Sequence, residues 1–264
     1  MKRSPYSMYQ VLGDEELGYL GNTAAVIELP KEIGSEKMQQ IAADYNQPAT
    51  SFIWKDVGDW CIKWFAPDGE IGLCGHGSFA ALAHIHEHYM VHKVKLKYQG
   101  GCINGQIIDS SNCSISLNAI SVEHQNAPEK ALLEGLGIEI VAHYKTSNKN
   151  LVIAPNETRI REMNPDFYRL RDCTDFGFIV TAPGDDVDFV SRTIVPHVKQ
   201  LEDPATGSSH AVLTPYWSTM LKKKKMVGHQ LSARGGKFIC QIDQNKVTLS
   251  GEYQLLAKGE AYLK

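Results

Sequence analysis

Two short stretches hold the side chains best suited to moving a proton or holding an anion. Cys74, Gly75, His76, Gly77 and Ser78 run directly into the alanine-rich segment Phe79 to His84. Far downstream, Asp203, Pro204, Ala205, Thr206, Gly207, Ser208, Ser209 and His210 run into Ala211, Val212 and Leu213. Each reads as a glycine-bearing loop that opens a helix. The first amides of a helix have no internal acceptor, and the helix dipole places its positive end there. Each loop is therefore a candidate anion site. Asp203 and His76, one in each loop, point to a shared site. Cys74 adds a thiol, and Ser208 and His210 add further polar groups. One such helix start in each half suggests two domains facing one cleft.

Neither loop fits the dinucleotide fingerprint, because the strand–helix–strand context and the later acidic residue are missing. There is no Gly-Lys-Ser/Thr phosphate loop, and no Gly-x-Ser-x-Gly elbow to support a serine hydrolase.

The elements that must position these loops can be read in order. Tyr6 to Tyr9 is extended, and Gly18 to Leu29 is a turn feeding a strand that Pro30 ends. Ser35 to Tyr45 is a helix with Ser35 as its cap and Met38, Ile41, Ala42 and Tyr45 on one face. Thr50 to Trp54 and Trp60 to Phe65 form a hairpin around Asp56 to Asp59. The first loop opens a helix running to Tyr89. Lys93 to Tyr98 alternates, with the lysines toward water and Val94, Leu96 and Tyr98 inward. Short strands follow at Cys102–Ile103, 106–108 and 113–117. Residues 121–126 read as a linker, and Ala127 to Leu136 as a helix with proline in its first turn. Strands are expected at 138–141, 150–154 and 177–181, a helix at 186–193, and the second loop's helix over 211–220. Strands at 237–242 and 247–250 close the chain. The pattern is α+β, with strands outnumbering helices and the same architecture in each half.

Composition narrows the function. The 264 residues are 43% hydrophobic and 22% charged, which suits a globular protein of one large or two ordinary domains. A net charge of -3 argues against a nucleic-acid partner. No apolar run approaches the roughly 20 residues that span a bilayer, and no apolar stretch follows Lys2 and Arg3, so neither a membrane partner nor a signal peptide is expected. The six cysteines are scattered without a Cys-x-x-Cys pair, which fits neither a zinc module nor a disulfide framework and favours a reduced, cytoplasmic protein. His84, His86 and His88 share one helical segment, but no third metal ligand is identifiable. Asp185, Asp186 and Asp188 lack calcium-loop spacing. The lysine run 222–225 reads as a solvated helix end.

Several runs together resemble the phenazine-biosynthesis PhzF-like family, related in fold to diaminopimelate epimerase. They are Gly21-Asn22-Thr23-Ala24-Ala25-Val26, Trp64-Phe65-Ala66-Pro67, Glu70-Ile71-Gly72-Leu73-Cys74-Gly75-His76-Gly77, Glu202 to His210, Pro215-Tyr216-Trp217 and Gln230 to Gly236. The resemblance implies a diaminopimelate-epimerase-like α+β fold of two similar domains, each a curved, mostly antiparallel sheet or barrel around a central helix. The expected boundaries are 1–120 and 121–264, with the last strand able to return to the first domain. It also implies a cofactor-independent isomerase or epimerase, usually a homodimer, that moves a proton on a small carboxylic acid. His76 and Asp203 take catalytic positions, with Gly75, Gly77, Gly207 and Ser208 around the substrate and no metal. In one respect the chain departs from the family. The family's catalytic glutamate lies in Asn-Leu-Ser-Glu-Thr-x-Phe, and here Ala49 stands at that glutamate's place. Three outcomes are open. Asp203 and His76 run the transfer, aided by Cys74; or Glu70 or Asp44 substitutes; or the cleft only binds a ligand.

Overall fold

Residues 2–263, described in the computed structural model, divide into two units. Unit one holds the residues up to Leu117 and those from Thr248 onward, and unit two is Asn118–Val247. Unit one contains β1 (Lys2–Val11), β2 (Asn22–Glu28), α1 (Ser35–Tyr45), β3 (Ala49–Asp56), β4 (Asp59–Ala66), β5 (Gly69–Ile71), α2 (Gly75–Tyr89), β6 (Lys93–Tyr98), β7 (Gly101–Ile107) and β8 (Asn112–Asn118). Unit two contains α3 (Lys130–Leu136), β9 (Ala142–Tyr144), β10 (Asn150–Ile153), α4 (Glu157–Glu162), α5 (Phe167–Leu170), β11 (Phe178–Pro183), β12 (Phe189–Val195), β13 (Leu201–Asp203), α6 (Gly207–Leu221), β14 (Lys225–Gln230) and β15 (Gly236–Asp243). The final strand, β16 (Lys246–Leu263), starts at the end of unit two and runs on into unit one.

In unit one the strands follow the order β1-β2-β3-β4-β6-β7-β8-β16, and β16 pairs back to β1. An eight-stranded barrel results, with α2 packed against β1, β2, β3 and β7. Every residue from Gly75 to Ile85 is buried. A helix apolar and small on all sides has no face to give to water, which is why it sits inside a barrel. The outer wall is covered by α1, whose Met38 and Ala42 pack with Phe52, Phe65 and Ile27. Ser35 does not cap α1 as its sequence suggests. Gly34 occupies the cap without a side-chain bond, and Ser35 Oγ accepts from Lys63 Nζ at 3.3 Å. The β3–β4 hairpin turns on Val57 and Gly58, at φ 47° and 89°. Lys93, Lys95 and Lys97 are exposed while Val94 and Leu96 are buried, as the alternation requires.

Unit two repeats the pairing scheme of unit one. In unit one β1–β2 is antiparallel, β2–β3 parallel, β3–β4 and β4–β5 antiparallel, β4–β6 parallel and β6–β7 antiparallel. In unit two β9–β10, β10–β11, β11–β12, β12–β13, β12–β14 and β14–β15 follow the same sequence of directions. The helices α2 and α6 occupy the same slot, each 15 residues long. Their cap residues share nearly one conformation, Cys74 at φ -123°, ψ 105° and Thr206 at φ -117°, ψ 101°. Each ends on a left-handed residue, Met90 or Lys222.

Four expectations need correction here. The stretch 186–193 is not helical: it belongs largely to β12, where Val190, Thr193, Ile194 and Val195 favour an extended, doubly buried strand. The acidic pair Asp185–Asp186 imitates a helix start, and the β-branched run after it decides the outcome. The strand expected at 138–141 forms at Ala142–Tyr144 instead, while Ile138 and Ile140 pack on the unit-two core. Pro128 lies outside α3, which Glu129 caps. The helix expected over 211–220 begins four residues earlier, at Gly207, while the lysine run is its exposed end, as the sequence reading has it. Among the described residues no helix is long and apolar enough to cross a membrane.

Candidate active site

In unit one, three strands build the wall behind the start of α2. Ser51 of β3 pairs with Trp64 of β4, and Trp64 pairs with Ile71 of β5. Residues directly opposite across a ladder share a face, so these three form one row. That row faces α2: Ser51 Oγ donates to the Gly77 carbonyl at 3.0 Å. A Cβ on Gly77 would stand 2.7 Å from Trp64 Cδ1 and 2.8 Å from Ser51 Oγ. Glycine at 77 is thus demanded by packing. Cys74 caps the helix, its Sγ accepting from the Gly77 amide at 3.3 Å, and Ser78 Oγ donates to the Cys74 carbonyl at 2.6 Å. His76, 5% exposed, lies beside the thiol with its ring nitrogens 3.6 and 3.7 Å from Sγ. The first turn of α2 therefore gathers Cys74, Gly75, His76 and Gly77, four of the residues singled out in the sequence.

The other three unit-one candidates separate by strand parity. Ala49 lies two residues before Ser51 on the same, α2-facing row, is fully buried, and pairs in parallel with Ala24. Glu70 pairs with Phe65, and Phe65 with Thr50. That row is the opposite one, and it is covered by α1. Glu70 is exposed there, and Asp44 is exposed on α1 itself. Neither acid lies on the row that carries position 49.

In unit two the same construction recurs with different chemistry. Asp203 of β13 stands opposite Thr193 of β12. Thr193 Oγ1 donates to Ser209 Oγ at 2.9 Å, so this row faces the first turn of α6. Glu202 falls on the other row and is held by Arg192 through two bonds, Nε to Oε1 at 2.8 Å and a second terminal nitrogen to Oε2 at 2.7 Å. Gln230 ties the loop down: its Oε1 accepts from the Thr206 amide at 2.8 Å and its Nε2 donates to the Asp203 carbonyl at 2.5 Å. Ser232 Oγ donates to the Pro204 carbonyl at 2.8 Å. Asp203, Gly207 and Ser208 are thereby set around one helix start.

Lys149 joins this group, and nothing in the sequence pointed to it. Its Nζ donates to Ser208 Oγ at 3.0 Å and to Asn148 Oδ1 at 2.9 Å, with only 6% of the residue exposed. The polar turn from Thr146 to Asn150 marks a loop before a strand, but no spacing rule links it to Ser208. His210, by contrast, belongs to the core. It stacks on Phe238 at 3.5 Å between ring centroids, and its Nδ1 lies 2.9 Å from the Thr206 carbonyl. Burial pulls its pKa down to about 4, against the opposing bond to Thr206, so it is a neutral packing residue.

The other three histidines of α2, His84, His86 and His88, also have structural partners. His84 Nδ1 meets Ser7 Oγ at 2.9 Å and its Nε2 lies 3.5 Å from Glu28 Oε2, His86 Nδ1 lies 3.2 Å from the Val91 carbonyl, and His88 stacks on His84. Tyr89 donates to Glu28 at 2.5 Å. No cluster of three or more His, Cys, Asp or Glu able to hold a metal occurs among the described residues, and no disulfide joins the six cysteines.

Two repeated units, each with a buried helix whose start is lined by polar groups, define a diaminopimelate-epimerase-like fold. The comparisons agree, and the chain belongs to the PhzC-PhzF family of phenazine biosynthesis-like proteins, which it matches over residues 16–259. It is 33% identical over 248 residues to an uncharacterised isomerase of Pseudomonas aeruginosa, covering 93% of this chain and 94% of that one. A crystal structure of a PhzF-family protein from Enterococcus faecalis is 33% identical, with a TM-score of 0.88 over 99% of this chain and 100% of that one. A hydroxyproline epimerase from Agrobacterium vitis shares the fold alone, at 10% identity and a TM-score of 0.66, over 98% of this chain and 92% of that one.

Proposed function

We propose that this chain is a cofactor-independent isomerase, acting as a homodimer, that moves a proton on a small carboxylic acid. One of Asp203 and His76 removes a proton from carbon and the other delivers one, so that no electron is gained or lost overall. Amides of Gly75, Gly207 and Ser208 stabilise the carboxylate and the enolate-like charge that builds up. Cys74 holds the first turn of α2 and keeps His76 beside its sulfur. The observation that carries this reading is the retention of both helix starts in matching form, with an imidazole on one and a carboxylate beside the other. Relatives named as isomerases support it.

A second reading rests on Ala49. A methyl group on the α2-facing row carries no proton, and loss of a general acid/base typically costs about 10²–10⁴-fold in rate. On this reading the protein binds a small acid without turning it over. Incubation of the wild type with a panel of cyclic and aromatic carboxylic acids in heavy water separates the two. Deuterium appearing on carbon supports the isomerase. Thermal stabilisation by an acid without exchange, joined to a gain of exchange in Ala49→Glu, supports the binder.

A further inference from the structure

We propose that Lys149 is a positioning residue that fixes Ser208 as a hydrogen-bond donor to the carboxylate of the substrate. The inference rests on the reading above that the substrate is a small carboxylic acid. An ammonium group donates and never accepts. In the 3.0 Å contact between Lys149 Nζ and Ser208 Oγ, the hydroxyl oxygen is therefore the acceptor. The hydroxyl hydrogen must turn to a different acceptor, and Ser208 becomes a directed donor at the second position of α6.

The site around Lys149 is built to deliver this charge. Lysine is rarely buried to this degree, and here both Lys149 and Ser208 are about nineteen-twentieths buried, at 6% and 5% exposure. The aliphatic stem passes over Gly177, where Lys149 Cγ stands 3.5 Å from the position a Cβ would take. The Phe176 ring lies 5.8 Å from Nζ. Thr146 fixes the backbone beneath, accepting from the Asn148 amide at 3.0 Å and donating to the Lys149 carbonyl at 2.8 Å. The ammonium therefore reaches the α6 start along a fixed path. Its charge adds to the positive end of the helix dipole, and both favour an anion there.

The test compares binding of benzoate with that of benzamide, its uncharged isostere, to the full chain by calorimetry. The wild type is expected to prefer benzoate. Lys149→Met should weaken benzoate binding about tenfold, the loss of one charge-assisted hydrogen bond, and erase the preference over benzamide. Ser208→Ala should do the same, the double variant should lose no more than either single one, and Lys149→Arg should retain the preference. If Lys149→Met fails to fold, the contrast between Ser208→Ala and Lys149→Arg decides. Unchanged benzoate affinity in Lys149→Met, losses that multiply in the double variant, or no saturable benzoate binding by the wild type would overturn the proposal. Selective benzoate binding without proton exchange on any acid would overturn the isomerase reading and leave this one standing. Exchange that survives Lys149→Met with unchanged KM would do the reverse.

Discussion

Asp203 and Thr193 face each other across β13 and β12, and through Thr193 and Ser209 their row is turned to the first turn of α6. One residue earlier, Glu202 is turned to the opposite row and clamped by Arg192. Two adjacent carboxylates thus have two distinct surroundings, and the period-2 geometry of a strand is the whole cause.

The clamp is mostly out of water, with the side chains of Arg192 and Glu202 12% and 16% exposed. Arg192 also donates to the Met163 carbonyl at 2.5 Å. Arg192→Met strands the Glu202 carboxylate and should cost about 2–4 kcal/mol. Urea unfolding measures it. Glu202→Gln should cost less, because it leaves a hydrogen-bonding partner for the guanidinium.

Gly77→Ala forces a methyl group within 3.0 Å of the Cys74 sulfur and closer still to Trp64 and Ser51. An expected loss of about 1–3 kcal/mol follows from overpacking. A thermal-melt comparison of Gly77→Ala with the wild type measures it.

Stability should fall in acid with a recognisable histidine component. Burial holds the His210 pKa near 4, below the ordinary 6.5. Between those values the unfolded chain binds a proton that the folded chain refuses. The His210 contribution is therefore complete above about pH 6.5 and is lost as pH falls toward 4, by about 3 kcal/mol in all. His84 acts in the same direction, because burial lowers its pKa against the pull of Glu28. Glu28 adds to the loss further down: burial pushes its carboxyl up, but bonds from His84 and Tyr89 outweigh this and leave it below the usual value. In His210→Gln the slope of unfolding free energy against pH over this window should drop by up to one proton. Denaturant titrations at half-unit pH steps measure it.

Val57 is 98% exposed and sits at φ 47°, beside Gly58 at φ 89°. Both positions of a two-residue hairpin turn with positive φ favour asparagine and glycine, whereas a β-branched residue is strained there. Val57→Asn should raise stability by about 0.5–1 kcal/mol without touching either helix start, as read by a shift in the urea midpoint.

How far the sequence revealed all this depended on distance along the chain. The starts of α2 and α6 were legible because glycine, a polar cap and a run of small residues fall together within ten positions. The lysine alternation in β6 was legible for the same local reason. β12 was misread because Asp185 and Asp186 offered a local helix signal that burial among neighbouring strands overrode. The partners Lys149 and Ser208 lie 59 residues apart, and only folding sets them together. Strand parity separated Glu70 from the row of Ala49, and no motif encodes which face of β5 turns to α2.

Proton exchange by Asp203→Asn tests the central claim most directly. Wild type and variant, matched in melting temperature, are incubated in heavy water with any acid on which the wild type exchanges, and deuterium on carbon is followed by NMR. Loss of a general acid/base should slow exchange by about 10²-fold or more in Asp203→Asn, with a comparable loss in His76→Gln. Equal exchange rates in wild type and Asp203→Asn would contradict the assignment of Asp203 to the proton transfer.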